Sequence, residues 1–215
     1  MAQVFGRHMD FVARLVGLGV IVLAAGVFWI WRTATAAPHP PGSAVAQPIP
    51  FSHKHHVGDD GIDCRYCHAS VETAATAGMP SVEVCMSCHA QLYTDQPALQ
   101  PLIEAWQSGT PLRWQRVHDL PDFAYFDHSV HVNNGVGCVS CHGRVDEMPL
   151  TWRHAALDMQ WCLDCHRDPA KALRPRDKVF DLAWQPADQR ATGTALIAAY
   201  HVPLGQLTEC STCHR

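Results

Sequence analysis

Every cysteine in this 215-residue chain lies in one spacing, C-x-x-C, and histidine follows each pair at once. The five sites are Cys64-Cys67-His68, Cys85-Cys88-His89, Cys138-Cys141-His142, Cys162-Cys165-His166 and Cys210-Cys213-His214. None of the 10 cysteines is left over, which argues against an irregular disulfide framework and against a thiol enzyme with one reactive cysteine. Structural zinc sites and thioredoxin-like redox pairs also use C-x-x-C, but neither requires histidine as the next residue. With 15 histidines in 215 positions, five coincidences in five pairs have a chance on the order of one in a million. The pattern therefore reads as five covalently bound haem c groups. Two thiols at this spacing reach the two vinyl groups of one porphyrin, and the adjacent histidine falls beneath the iron as proximal ligand.

That load changes how the composition reads. The formal net charge is −4 before any haem propionate is counted, so a nucleic-acid partner has no electrostatic support. The hydrophobic content of 47% counts the haem-bound cysteines and an apolar N-terminal segment. About 180 residues remain outside that segment, roughly 36 for each haem, too few to wrap a separate polypeptide core around every one. The haems must supply much of the core themselves.

The apolar segment runs from Phe11 to Trp31, FVARLVGLGVIVLAAGVFWIW, 21 residues interrupted only by Arg14. That length spans a hydrocarbon slab. Trp29 and Trp31 suit the far interface, and Arg7 with Arg14 against Arg32 biases the N-terminus to the cytoplasm. Residues 1–36 are read as an uncleaved, single-pass anchor in the cytoplasmic membrane, with the haem domain on the periplasmic side, where c haems are attached. The competing reading is a cleaved signal peptide, for which Ala34-Thr35-Ala36-Ala37 resembles a processing site. Residues 37–50, APHPPGSAVAQPIP, carry five of the 15 prolines and no charged residue, and read as a stiff tether. His39 and His8 read as solvated.

The remainder contains an internal duplication. Phe51-Ser-His53-Lys-His55-His56 precedes the first two motifs, and Phe126-Asp-His128-Ser-Val-His131 precedes the next two. The halves are offset by 75 residues from Phe51 to Phe126, 74 from Cys64 to Cys138 and 77 from Cys85 to Cys162, a near-constant period. The expected architecture is mainly irregular with short α-helices at or near the motifs and almost no sheet. It consists of two dihaem repeats plus a fifth C-terminal haem, preceded by one transmembrane helix. The units are 51–125, a first dihaem unit with a docking segment; 126–185, a second dihaem unit; and 186–215, with a helix over Pro186 to Tyr200 and the fifth haem. Trp106 and Trp114 in the stretch 90–125 either dock a partner or stack on haem faces.

The pairs His53/His56 and His128/His131 are three apart, on one side of a helical turn. They are read as distal iron ligands, each pair serving two different haems, since one ring plane cannot use both. His55 breaks the repeat. One distal position then remains for five haems, with His118, His154, His201, Met148 and Met159 as candidates. His118 is placed first, because Pro121 breaks any helix behind it. Met159, three residues before Cys162, is the alternative, and a thioether there would raise that haem's potential.

These residues carry a resemblance. The quoted landmarks are F-S-H-K-H-H-V ahead of D-C-R-Y-C-H, A-G-M-P ahead of C-M-S-C-H, V-H-D-L-P-D-F-A-Y-F-D-H-S-V-H-V, M-Q-W-C-L-D-C-H-R and the closing T-E-C-S-T-C-H-R. Nearly end to end, the chain resembles the membrane-anchored pentahaem cytochrome c subunit of alternative complex III, a quinol-oxidising bacterial respiratory complex. Gln160 departs from the glycine of that family's M-G-W-C. The resemblance implies an electron-transfer subunit without catalysis of its own. It also implies docking on an iron–sulfur subunit related to molybdopterin oxidoreductases, close to integral membrane subunits. Electrons would leave to a soluble periplasmic cytochrome or a terminal oxidase. Rival readings are a free-standing membrane-anchored quinol dehydrogenase, a haem enzyme with one open iron, and an assembly scaffold. An enzyme would need an open haem, whereas all five motifs end in histidine.

Overall fold

An apolar segment of membrane-spanning length has one stable form in lipid, a helix that satisfies its own backbone. In this computed structural model, which describes residues 6, 8–35 and 40–214, the apolar segment is α1 (Met9–Thr35), 27 residues in length. Its Met9–Thr33 span is long and apolar enough to cross a membrane, and none of it is buried. Trp29 and Trp31 are exposed near its C-terminal end, and the Phe28 and Trp31 rings are 5.9 Å apart. Arg7, Ala36, Ala37 and His39 lie outside the described residues. The helix belongs to one compact unit, Met1–Pro40, and the motifs to another, Pro41–Arg215.

In the second unit regular structure is short and helical: α2 (Cys64–Cys67), α3 (Val82–His89), α4 (Gln100–Ser108), α5 (His128–Asn133), α6 (Val139–His142), α7 (Met159–Arg167), α8 (Gln189–Ala199) and α9 (Cys210–Cys213). Each C-x-x-C-H motif falls on one of these helices, because one helical turn brings residues three apart to the same side. Among the described residues no strand forms. The nearest approach to sheet is a pair of isolated antiparallel bridges, Ala44 with Trp152 and Val136 with Leu173. Aspartates start several helices by accepting a backbone N–H: Asp63 from Arg65, Asp127 from Val130, Asp158 from Trp161 and Asp188 from Ala191. The last of these explains why α8 begins at Gln189 rather than at Pro186. Where the second half has α5, the first half has a π-helical turn, Lys54–Asp59.

The polypeptide core is thin. Its largest fully buried side chains are Leu102, Met148, Leu173 and Val179, and the cluster Val71, Val132 and Val179 joins residues of both halves. Residues 41–50 pack along this unit. Val45 and Ile49 are buried, Gly42 N–H donates to the Arg153 carbonyl at 2.9 Å, and Gln47 makes two 2.9 Å bonds with the Gln115 backbone. Arg174, only 7% exposed, donates to the Lys178 and Asp181 carbonyls and lies over Trp184. It fills the space beside Gly137 that a side chain there would need, and so seats the segment entering the third motif.

Helix α8 rests on the 3-10 turn Pro169–Lys171, and Gly193 makes this possible, since a Cβ there would overlap the Ala170 backbone. A Gly193→Ala variant is expected to lose about 1–3 kcal/mol through overpacking. Thermal unfolding of the holoprotein would show a lowered Tm with an unchanged haem spectrum.

Candidate haem sites

The two F-x-H-x-x-H segments fold alike around their phenylalanines. Phe51 meets His53 edge-on at 4.9 Å and 84° and stacks on His56 at 4.5 Å and 22°. Phe126 meets His128 edge-on at 4.8 Å and 89° and stacks on His131 at 4.4 Å and 26°. In both halves the phenylalanine acts as a wedge that turns two neighbouring imidazoles in different directions.

An iron-ligating histidine offers one ring nitrogen to the metal and needs an acceptor for the N–H at the other. Most candidate ligands have such an acceptor in a backbone carbonyl. Nδ1 donates to Ser52 from His56 (2.9 Å), to Gly78 from His68 (2.8 Å), to Leu92 from His89 (3.1 Å) and to Ala75 from His128 (2.9 Å). It donates likewise to Asp127 from His131 (2.7 Å), to Leu207 from His166 (2.6 Å) and to Phe123 from His214 (3.0 Å). A carbonyl only accepts, so the proton is held on Nδ1 and Nε2 is left bare. His53 Nδ1 pairs with the Thr151 hydroxyl at 2.8 Å. Two of these bonds cross between halves: Thr151 follows the third motif yet orients His53, and Ala75 follows the first motif yet orients His128.

With a metal–imidazole bond of about 2 Å, two imidazoles opposed across one iron have ring centres roughly 6 Å apart. Three pairs stand at that separation: His56 and His89 at 6.2 Å, His128 and His142 at 6.3 Å, and His131 and His166 at 6.1 Å. His53 lies close enough to His68 to feel its charge. Burial favours the neutral form, which ligation requires, at His53, His131 and His142. It depresses the His53 pKa to about 4, with His68 and His56 adding to the effect, and lowers that of His131. His142 is depressed to about 3, first by burial and then by the neighbouring His118, His128, His68 and His53.

Seven of the ten thiols are shifted toward the protonated form by burial rather than activated. Burial pushes Cys138 up to about 11 and Cys141 up to about 12, and raises Cys64, Cys67, Cys85, Cys162 and Cys165. A thioredoxin-like pair needs the opposite shift, and among the described residues no three His, Cys, Asp or Glu side chains converge as a zinc site would require. Neighbouring thiols show which motifs adjoin: Cys67 lies near Cys88, Cys64 near Cys138, Cys141 near Cys165 and Cys162, and Cys162 near Cys213. The Tyr66 hydroxyl meets that of Ser87 at 2.7 Å, fastening the first motif to the second. The motifs therefore follow one another in space as second, first, third, fourth, fifth.

The candidates for the fifth distal position are scattered. The His118 ring packs against His142, with centres 4.3 Å apart and planes at 67°, and its Nε2 is buried without a partner. Burial, then Arg153, His154 and His128, depress its pKa to about 4. Met159 is 64% exposed and sits one turn ahead of Cys162, which lies near Cys213. Met148 is fully buried, and His154 and His201 are exposed. Trp106 lines a cavity of about 300 Å³ with Met79, Val82 and Trp114, and Trp114 also lies 6.4 Å from Phe51. Thr151 and the carbonyls of Ala75, Leu207 and Phe123 escaped sequence reasoning, because nothing local marks a residue that orients a ring dozens of positions away.

The donors thus fit haem c: imidazoles opposed at iron-spanning distance, most with the proton held on Nδ1, beside thiols a single turn apart. A fold arranged around such sites several times over is that of a multihaem cytochrome c. The chain belongs to the family of cytochrome c7 and related cytochromes c, which matches residues 49–101 and 124–215, and it carries covalently bound haem c. It is also 30% identical over 198 residues to the multihaem cytochrome c subunit of menaquinone reductase from Nitratidesulfovibrio vulgaris, covering 92% of this chain and 78% of that protein.

Proposed function

We propose that this chain is the pentahaem electron-relay subunit of a membrane-bound, quinol-oxidising respiratory complex, a carrier rather than an enzyme. The observation that carries this reading is the set of three histidine pairs at 6.1–6.3 Å. An iron held on both faces has no position for a substrate, whereas it can still exchange electrons. Bound haems supply one-electron redox chemistry; the chain's own residues fix their order, their ligands and their shielding from water.

In this reading His68, His89, His142, His166 and His214 are the proximal ligands. His53 completes the site of His68, His56 that of His89, His128 that of His142 and His131 that of His166, so each half is a dihaem unit. Met159 completes the site of His214. It shares a helix face with Cys162, and Cys162 adjoins Cys213, whereas His118 lies at the third motif. The second and fifth motifs end the spatial series, and Cys88 and Cys210 there are exposed, which suits electron entry and exit. Helix α1 is the single-pass anchor in the cytoplasmic membrane, with the haem unit on the periplasmic side. The relative from N. vulgaris is part of a menaquinone reductase. The partners proposed are those of the alternative complex III resemblance: an iron–sulfur subunit related to molybdopterin oxidoreductases, integral membrane subunits, and a periplasmic cytochrome or terminal oxidase as acceptor.

Menaquinol added to native membranes is expected to reduce the haems of this chain, and the purified full-length chain alone is expected not to oxidise menaquinol. Rapid reduction of the isolated chain would instead establish a free-standing quinol dehydrogenase. Intact mass should report five haems, and ferric spectra only low-spin iron. The methionine-to-iron charge-transfer band should disappear in Met159→Ala.

A further inference from the structure

We propose that His118 is a positioning residue for the third haem site, serving as the hydrogen-bond acceptor behind the proximal ligand His142. The inference rests on the reading above, in which His142 and His128 hold one iron, and extends it to a residue that lies between the two stretches matched by the family. Two complementary deficits carry it. His53, His56, His68, His89, His128, His131, His166 and His214 each have a hydrogen-bond partner at Nδ1. Among the described residues His142 has none, although it is enclosed by His118, His128, His68 and His53. Against its ring, at 4.3 Å between centres, lies the one imidazole whose buried Nε2 is without a partner. An imidazole N–H without an acceptor and a buried ring nitrogen without a partner are each unfavourable in a protein interior, and pairing the two relieves both. Aligning donor with acceptor requires one ring to turn out of the edge-to-face contact at 67° and the centres to part by about 1 Å.

The acceptor has an electronic consequence. Drawing the Nδ1 proton of a ligating imidazole toward a second nitrogen makes the ligand more basic, which favours ferric iron and lowers the potential of that site. The other ligands meet carbonyls or a hydroxyl, so the third site is distinguished chemically. It lies midway in the spatial series of motifs, where its potential governs passage between the first half and the second.

The test uses the full-length holoprotein and its His118→Phe and His118→Gln variants, compared by intact mass, ferric electron paramagnetic resonance and a potentiometric titration. The expected result is an unchanged haem count, exclusively low-spin iron, and one midpoint potential raised while the others stay. The amide oxygen of glutamine is the weaker acceptor, so the rise is smaller in His118→Gln than in His118→Phe. Should His118→Phe fail to accumulate, the rise of one midpoint in His118→Gln carries the test. Unmoved potentials in the variants overturn the proposal, and so does a new high-spin haem, which would make His118 an iron ligand. Failure of the underlying reading shows separately, as a haem count below five or a high-spin haem in the unmodified protein.

Discussion

His131→Ala is expected to convert one haem of the ferric protein from low to high spin and to let that haem bind carbon monoxide when reduced. His131 faces His166 across 6.1 Å, stacks on Phe126 at 4.4 Å, and is fixed by its Nδ1–H bond to the Asp127 carbonyl at 2.7 Å. In the proposed pairing alanine removes the sixth ligand, and it leaves a cavity beside Phe126. Truncation of a large buried side chain costs about 2–5 kcal/mol, tolerable for a chain whose remaining ligands still hold every porphyrin. His56→Ala should do the same opposite His89. His55→Ala is the control: His55 is exposed and faces Asp60 at 3.6 Å, so all haems should stay low-spin. Electron paramagnetic resonance and carbon monoxide difference spectra read both outcomes. If His131→Ala remains fully low-spin, the pairing of His131 with His166 is wrong.

What could be read from the sequence was whatever is encoded within one or two helical turns. C-x-x-C-H specifies thiols and imidazole within five consecutive residues, and F-x-H-x-x-H specifies a wedge and two rings within six. Helices at the motifs follow for the same reason: a single turn is what the attachment needs. Half of the groups that orient the ligands are remote, with a separation of 98 positions from His53 to Thr151 and 91 from Phe123 to His214. Most of them are backbone carbonyls, which any residue supplies. His118 shows the limit. Its neighbourhood in sequence marks it as an imidazole held clear of a helix, but which ring it meets is decided by packing of a loop against the third motif. Residues 41–50 teach the same lesson, since proline content reports stiffness and not where Val45 and Ile49 are buried.

Serine at both Cys138 and Cys141 is expected to prevent accumulation of any holoprotein, whereas serine at Cys210 and Cys213 should yield a folded chain one haem short. The third motif adjoins the first through Cys64 and the fourth through Cys162 and Cys165. Its thiols show the largest upward shifts, both caused chiefly by burial. The segment entering it is seated on buried Arg174 and on the Val179 carbonyl, which accepts from Cys138 N–H at 3.2 Å. Unfilled volume costs about 24 cal/mol for each Å³, so a void of several hundred Å³ at this junction costs on the order of 10 kcal/mol, comparable to the whole stability of an ordinary domain. The few buried aliphatic residues cannot offset that, and the cluster Val71, Val132 and Val179, which joins the halves beside Cys138, would come apart. The fifth motif adjoins the rest through the fourth, on the side of Cys162, and Cys210 is exposed. Its loss loosens the contacts of Phe123 and Tyr125 with His214 and the Cys213 carbonyl, at the edge of the unit. Yield, haem count by intact mass and resistance to proteolysis separate the two variants. A folded four-haem product from the Cys138/Cys141 variant would mean that the polypeptide, not the haem at its centre, holds the two halves together.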